Sequence, residues 1–501
     1  MYTPSLKDFL KLSKRANVIP VYKEINADLD TPVSAFLKIK KDNYSFLFES
    51  VEGQENVARY SFLGTKPYLV FRSKGKDIEL ILPYIKSVKK YVTATDPLDE
   101  IKQIMSDFLP AHIKGLPRFC GGMVGFMSYD AVRFFENIPD KNPDELKIAE
   151  FIFMLTDTIL IFDHVNHSIK IVVNVFLPKD NGKNNKIAGD REKARLYNEA
   201  LTKISKIQDD FNNPIPKQSL ENNGHGACGK KLLSNYKKAD FQNLVRKSKS
   251  HIMNGDITQV VLSQRFKVKI DKAPFNIYRN LRSINPSPYM FFLDLDEVIL
   301  IGSSPEILVR CEDGAVETRP IAGTRPRGKT PEEDLKMEKE LLNDAKEKAE
   351  HVMLVDLGRN DIGRVCKPGS VKIKDFMSVE RYSHVMHLVT QVKGVLKKGF
   401  DVFDVLRASF PAGTVSGSPK IRAMEIIDEL ENSKRGPYAG CVGYFSFWQN
   451  MDTCITIRTI VVKDGFAYVQ AGAGIVADSV PSREYLETVN KAKALLEAIT
   501  K

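Results

Sequence analysis

Apolar residues along this chain come in short runs broken by Gly, Pro, Asn and Asp. Between Phe36 and about Val175, the segments Tyr44–Glu49, Arg59–Gly64, Tyr68–Phe71 and Phe151–Phe162 are β-branched or aromatic, which predicts strands joined by turns. Gly121, Gly122 and Gly125 punctuate the apolar run that ends at Tyr129, as in a strand whose backbone is closely approached. Beyond Tyr236, strands are predicted at Gln259–Lys269, Met290–Leu295, Val298–Gly302, Val442–Phe447, Thr453–Val462 and Phe466–Ala473. Helices are predicted at Pro331–Asp356, Asp401–Ala408, Pro419–Glu431 and Ser482–Thr500. Strands come in groups, without regular βαβ alternation and without a repeat of fixed period. The pattern therefore predicts an α+β fold of mainly antiparallel sheets.

Between Pro178 and Lys231 the chain turns polar, with one amphipathic stretch around Ala194–Ile207, and reads as a surface excursion. Three regions result: strand-rich residues 1–180, a polar linker at 181–235, and a motif-dense region at 236–501.

Composition narrows the class. The chain has 501 residues, 43% of them hydrophobic and 27% charged, which excludes collagen, low-complexity disorder and disulfide-stapled miniproteins. Apolar runs such as Val298–Ile301 are strand-sized, and Met1–Lys14 carries charges throughout, so neither a membrane span nor a signal peptide is expected. Six scattered cysteines form no C-x-x-C pair, the usage of a soluble protein in a reducing cytoplasm. Lys and Arg outnumber Asp and Glu 74 to 63, a net charge of +11. The basic clusters, Lys86–Lys90 and Lys183–Arg195, fall in segments read as loops and lack interleaved aromatics. The surplus thus favours solubility and an anionic substrate over nucleic acid.

Several residue groups carry possible chemistry. Glu347 and Glu350 lie three apart on a predicted helix whose apolar stripe is Leu342, Ala345, Ala349, Val352 and Met353; Glu484 and Glu487 repeat the spacing on the last helix, with Lys491 a turn further on. Two such pairs offer hard oxygen ligands to Mg²⁺, although charged residues at helical spacing are most often solvated faces. His387 and His384 sit in mixed apolar surroundings and are equally compatible with satisfied core positions. Gly413–Lys420 is a small-residue loop opening a helix, with Ser418 as its N-cap and Pro419 at the first helical position; it suits an anion or a plain junction. Gly472, Ala473 and Gly474 offer bare amides or a tight turn. Arg458 suits a carboxylate or an exposed strand.

Seven motifs occur in order: Pro288–Met290, Gly302–Glu306, Thr318–Thr324, Glu350–Asp361, Tyr382–Leu388, Gly413–Lys420 and Gln470–Gly474. Together they resemble the chorismate-utilising enzymes, and within that family the anthranilate synthase large-subunit group. The resemblance implies an α/β sandwich of large sheets with outer helices and a cleft that binds chorismate beside Mg²⁺. Carried over by position, it implies Glu350 and Glu487 as metal ligands supported by Glu347 and Glu484. It implies substrate contacts at Gly323, Thr324, Tyr438, Arg458, Gly472, Ala473, Gly474 and Lys491. Glu306 resembles the acid that protonates the departing C4 hydroxyl, His387 the histidine linked to pyruvate loss, and Thr414 a neighbouring hydroxyl.

The implied reaction adds ammonia at C2 of chorismate and then eliminates pyruvate to give anthranilate. Gln259 stands where water-adding relatives carry a lysine, and Ala322 where many 4-amino-4-deoxychorismate synthases carry one; both departures point to ammonia at C2. Phe48–Gly53 and Arg59–Gly64 resemble the region that, with Pro288, Tyr289 and Met290, forms a tryptophan feedback site including Ser50. Glutamine hydrolysis has only Gly226–Lys230, around Cys228, as a match, in the polar linker and without a preceding strand. A separate glutaminase partner is therefore expected. The remaining readings are a 4-amino-4-deoxychorismate synthase or, in a different class, a non-catalytic amino-acid- or nucleic-acid-binding protein.

Overall fold

A computed structural model describes residues 1–40, 43–50, 59–178, 189–216, 232–382 and 385–501. His384, Cys228 and the Val51–Gly53 part of the feedback motif lie outside the described residues.

Many strands carry apolar residues at every position, and the packing accounts for it. Two large antiparallel sheets lie face to face. The sheet interface takes Phe46, Val124, Phe126, Ile152, Met154, Ile159, Ile161, Phe291 and Leu293. The alternate positions of the same strands face outward into helix-covered cores: Leu47, Leu160, Met290 and Phe292 in one, Met123, Met127, Phe151, Phe153 and Leu155 in the other. With period-two side chains, a strand covered on both faces has no polar register left.

Among the described residues the first sheet has 13 strands and the second 12. In the first, Ser45–Glu49 pairs with Tyr289–Asp294, which leads through Ile299–Ser304 and Thr459–Lys463 to Phe466–Ile475 and Gln259–Lys269. In the second, Ile307–Glu312 pairs with Met451–Ile455, followed by Cys441–Ser446, Gly122–Met127 and Phe151–Thr156. Both sheets thus mix strands from residues 1–180 and 236–501, so the sequence regions do not correspond to separate sheets. Helices Pro32–Ile39, Asp190–Asn212, Pro274–Ile284 and Pro481–Thr500 contribute to the first outer core. Helices Pro97–Ser106, Ala345–Gly363 and Val402–Ser409 contribute to the second.

Several boundaries differ from the sequence expectation, each for a local reason. Phe151–Phe162 is two strands meeting at Asp157, and Thr453–Val462 belongs to two strands separated around Arg458, which takes φ of 50°. Pro331–Asp356 splits because Asp344 ends one helix and caps the next, its carboxylate accepting from the Lys346 and Glu347 amides. The stripe expected there is wrong: Ala345, Ala349 and Val352 are exposed, while His351, Leu354, Val355 and Ile362 are buried. Ser418 is not the N-cap of the next helix; it pairs with Gln259, and Pro419 takes the cap position without a side-chain bond. Lys86–Lys90 falls mainly in an exposed strand, Ser87–Val92, at the end of the second sheet, where lysines blunt edge pairing. The amphipathic stretch at Ala194–Ile207 lies in the Asp190–Asn212 helix and docks through Tyr197, Ala200 and Ile204.

Candidate functional site

The central element is Glu306, between the strands Ile299–Ser304 and Ile307–Glu312. Its backbone carbonyl accepts from Ile455 N at 3.0 Å, and its side chain is buried. Burial pushes the carboxyl up to about 8; Thr414 and the positive charge of Lys491 oppose the shift. Thr414 lies in the single turn Gly413–Val415, and its buried hydroxyl acts on the Glu306 carboxyl.

This turn is held from below by a residue with no distinct sequence signal. Arg435 is 2% exposed, donates to the carbonyls of Val415 and Val261 at 2.7 Å, and pairs with Glu431 at 2.7 Å. Glu431 in turn accepts from the Ser263 amide and hydroxyl. The pair ties the turn to the Gln259–Lys269 strand, and the Arg435 guanidinium lies 5.6 Å from the Tyr438 ring centroid. Removing one member of such a buried pair costs about 3–5 kcal/mol.

His387 lies on Val385–Val395, with Nδ1 2.7 Å from the Gly323 carbonyl and 3.2 Å from Thr324 Oγ1. A carbonyl only accepts, so in the neutral ring Nδ1 carries the hydrogen and Nε2 the lone pair. Burial lowers the imidazole pKa, with the facing Arg458 charge adding to the shift. Gly323 has φ of 66°, and a Cβ there would lie 2.8 Å from Leu341 Cδ1 and 3.2 Å from Glu347 Oε2, a conformation and a spacing that suit glycine.

The Phe466–Ile475 strand and the final helix supply the opposite side. Lys491 Nζ donates to the Gly472 carbonyl at 3.0 Å and pairs with Glu487 at 2.7 Å, while Arg458 Nη1 donates to the Lys491 carbonyl at 2.5 Å. A Cβ on Gly472 would lie 2.6 Å from Tyr438 Oη, and one on Gly474 would lie 2.6 Å from Gln259 Nε2. These glycines let two side chains sit against the backbone around Ala473, itself buried.

Glu350 accepts from Gln259 Nε2 at 3.2 Å; burial and then the Glu347 charge raise its carboxyl. Burial also raises Glu484, with Glu487 adding repulsion and a Ser479 hydrogen bond opposing. Lys346 and Lys491 act on both carboxylates, so the two pairs share one cleft. Among the described residues no three acidic, His or Cys side chains converge as ligands, and Glu487 is engaged by Lys491. Mutually repelling oxygen donors, with Glu484 buried, Glu347 and Glu350 half-buried and Glu487 exposed, are nevertheless a set a hard divalent cation neutralises, and Gln259 Oε1 beside Glu350 is buried and unpaired. The residues fit such an ion.

Ser50, Pro288, Tyr289 and Met290 line a second cavity of about 560 Å³ between the sheets. Its walls include Phe48, Phe62 and Tyr444. At its polar end Tyr289 donates to Asp452 at 3.0 Å, and Arg310 reaches Asp452 at 2.9 Å and Tyr289 at 3.1 Å. Arg310 and Asp452 were not legible as a site because they stand alone in apolar strands. No helix among the described residues is long and apolar enough to cross a membrane.

Comparison with known proteins agrees with this arrangement. Residues 43–497 match the chorismate binding enzyme family. Anthranilate synthase component 1 of Aquifex aeolicus is 51% identical over 99% of this chain and 97% of its own length. The Acetivibrio thermocellus protein of the same name is also 51% identical, covering 100% and 99%. The crystal structure of anthranilate synthase component I from Streptococcus pneumoniae superposes with a TM-score of 0.75 at 36% identity, over 94% of this chain and 98% of that one. With its ordered motifs gathered around two neighbouring cavities and a family match over nearly its whole length, the chain belongs to the chorismate binding enzyme family.

Proposed function

We propose that this chain is the chorismate-converting component of a cytoplasmic anthranilate synthase, forming anthranilate and pyruvate from chorismate and ammonia as the first step of tryptophan biosynthesis. The observation that carries the reading is Glu306, a carboxyl that burial keeps protonated at neutral pH, in a cleft lined by Arg458, Lys491 and the Gly472–Gly474 backbone. Chorismate is a dicarboxylate, and these groups suit its two anionic ends.

In the first stage Glu306 gives its proton to the C4 oxygen, which leaves as water while ammonia adds at C2. This forms 2-amino-2-deoxyisochorismate. Thr414 positions the acid, and the low local polarity that raises its pKa makes it ready to donate. In the second stage His387 Nε2, kept neutral by burial, takes the C2 proton. The C3–O bond breaks, enolpyruvate departs and becomes pyruvate, and the ring aromatises. Thr324 and Gly323 fix the imidazole. Glu350 and Glu487, backed by Glu347 and Glu484, would hold Mg²⁺, which would supply positive charge for the ring carboxylate.

Ammonia comes from glutamine through a separate glutaminase component, and the Ser50–Tyr289 cavity binds L-tryptophan as feedback inhibitor. The purified chain, given chorismate, Mg²⁺ and ammonium, should release anthranilate, identified by fluorescence and retention time, together with equimolar pyruvate. With glutamine alone it should be inactive. Formation of 4-amino-4-deoxychorismate, or no turnover, would overturn the assignment; efficient glutamine use by the single chain would overturn the partner.

A further inference from the structure

Glu306 feels the charge of Lys491 on the side of the proposed substrate groups. It also lines a cleft of about 390 Å³ that continues along the Ala345–Gly363 helix, with Leu354, Leu357, Gly358 and Asp361 on one wall and Ser409 and Thr414 on another. Glu347, Glu350, Leu354, Leu357 and Asp361 succeed one another at three- and four-residue steps, a single face of that helix. From Glu350 to Asp361 this face runs about 16 Å at 1.5 Å per residue. Nothing in the chemistry described so far uses its distal half.

Two observations give that half a ligand. Ser409 is 4% exposed, and its Oγ is buried without any hydrogen-bond partner. Buried hydroxyls rarely stay unmet, and a mixed polar and apolar space with room for a water or two normally meets them with ordered solvent. Asp361, also on the cavity wall, is held by Lys420 at 2.7 Å, and both side chains are largely buried.

The proton balance of the proposed reaction supplies the need. Addition of NH₃ at C2 releases one proton as the nitrogen becomes a neutral amine. Departure of the C4 hydroxyl as water consumes one at Glu306. The overall count is zero, yet the proton appears on one side of the ring and is required on the other. Each turnover also leaves one water molecule beside Glu306.

We propose that the cavity behind Glu306 is a solvent compartment that receives this water and returns a proton to the Glu306 carboxylate. Ser409 and Thr414 hold its waters, and Asp361 positions the chain of waters at its distal end. The returned proton comes from bulk solvent, passes along the waters by exchange of O–H bonds, and leaves no net charge in the cavity. Charged groups facing the two carboxyls are few: Lys491 faces Glu306, and Lys420 and Arg364 face Asp361. The inference rests on the anthranilate synthase reading, because it needs a hydroxyl leaving at C4.

The test uses the full chain with chorismate, Mg²⁺ and ammonium. Ser409→Val and Asp361→Asn should lower kcat about fivefold or more, most strongly above pH 7.5, while KM for chorismate and ammonium stays within twofold. The solvent deuterium isotope effect on kcat should rise, and imidazolium buffer should restore part of the rate. Ser409→Ala, which removes the hydroxyl but keeps the space for water, should lower kcat less than Ser409→Val does. A crystal structure should place ordered water between Ser409 Oγ and Thr414 Oγ1. Turnover by the parent with unchanged kcat and isotope effect in folded Asp361→Asn and Ser409→Val would overturn the compartment and leave the assigned reaction standing. A dry cavity would do the same. No turnover by the parent would instead overturn the reaction.

Discussion

Two cavities of this molecule treat their polar groups in opposite ways. In the one lined by Ser50 and Tyr289, the polar end is satisfied within the protein: Tyr289, Asp452 and Arg310 bond one another, and the nearby Glu49 accepts from Tyr278 and Arg282. In the cleft around Glu306, Ser409 Oγ is buried and unpaired, as is Gln259 Oε1 beside Glu350, and burial pushes the Glu306 carboxyl up to about 8. A finished network makes a receptor whose shape exists before its ligand arrives. Unmet groups mark where reacting atoms and solvent belong, at a cost to stability. The two cavities are one residue apart on a shared strand: Cys454 lines the first, and the amide of Ile455 bonds the Glu306 carbonyl.

The contrast can be broken most severely at Glu306. Glu306→Gln should reduce anthranilate formation by about 10²–10⁴-fold, the usual weight of a positioned general acid, while raising the thermal midpoint. The sign follows from linkage: a carboxyl whose folded pKa lies near 8 gives stability below its unfolded value and loses it as pH rises towards 8, a loss that glutamine avoids. Equal turnover in mutant and parent would erase the distinction between the cavities.

Glu350→Gln and Glu487→Gln should each lower Mg²⁺-dependent turnover by about 10–100-fold, the range for altered metal coordination, with circular dichroism unchanged. Parental rates that persist in excess chelator would exclude these ligands. A pH profile sharpens the same point. With rates referred to free ammonia, kcat/KM should be flat below pH 7 and decline above about 8, because only protonated Glu306 delivers a proton. A profile rising through that range would remove Glu306 as the acid.

The smallest effect on catalysis is expected in the paired cavity. Ser50→Phe fills space beside Tyr289, so tryptophan inhibition should weaken more than tenfold while kcat stays within about twofold, as for substitutions remote from the chemistry. Unchanged inhibition curves would move the tryptophan site elsewhere.

Strands were legible where both faces are buried, since an unbroken apolar run as short as Phe151–Leu155 fits a strand between two covered faces and little else. Helix boundaries failed where one side chain overrides a continuous pattern: Asp344 starts a new helix inside a segment that reads as one. The buried face of that helix was misread because its apolar residues are spread around it, and burial follows what packs against it. Among candidate site residues, those proposed to contact ligand come from motifs. Its supports were not: Arg435, Glu431 and Asp361 act through contacts far away in the chain or across helices, and composition gives no sign of such partners. The cavity between Ser50 and Tyr289 was legible only by resemblance, since by pattern Ser50 ends a strand and Tyr289 starts one.

The shared sheets also bear on how the polypeptide is made. Residues 441–475 form four strands that lie at interior positions of both sheets, between strands drawn from residues 122–312. During synthesis the earlier strands emerge first and wait with open edges, because their neighbours are translated last. Such non-local pairing folds slowly and leaves aggregation-prone edges exposed meanwhile. A ribosome-arrested chain ending before Cys441 should accordingly stay protease-sensitive throughout, and one from which the Pro481–Thr500 helix has also emerged should acquire resistance in a single step, so that strands translated late close the whole sandwich on which both cavities depend.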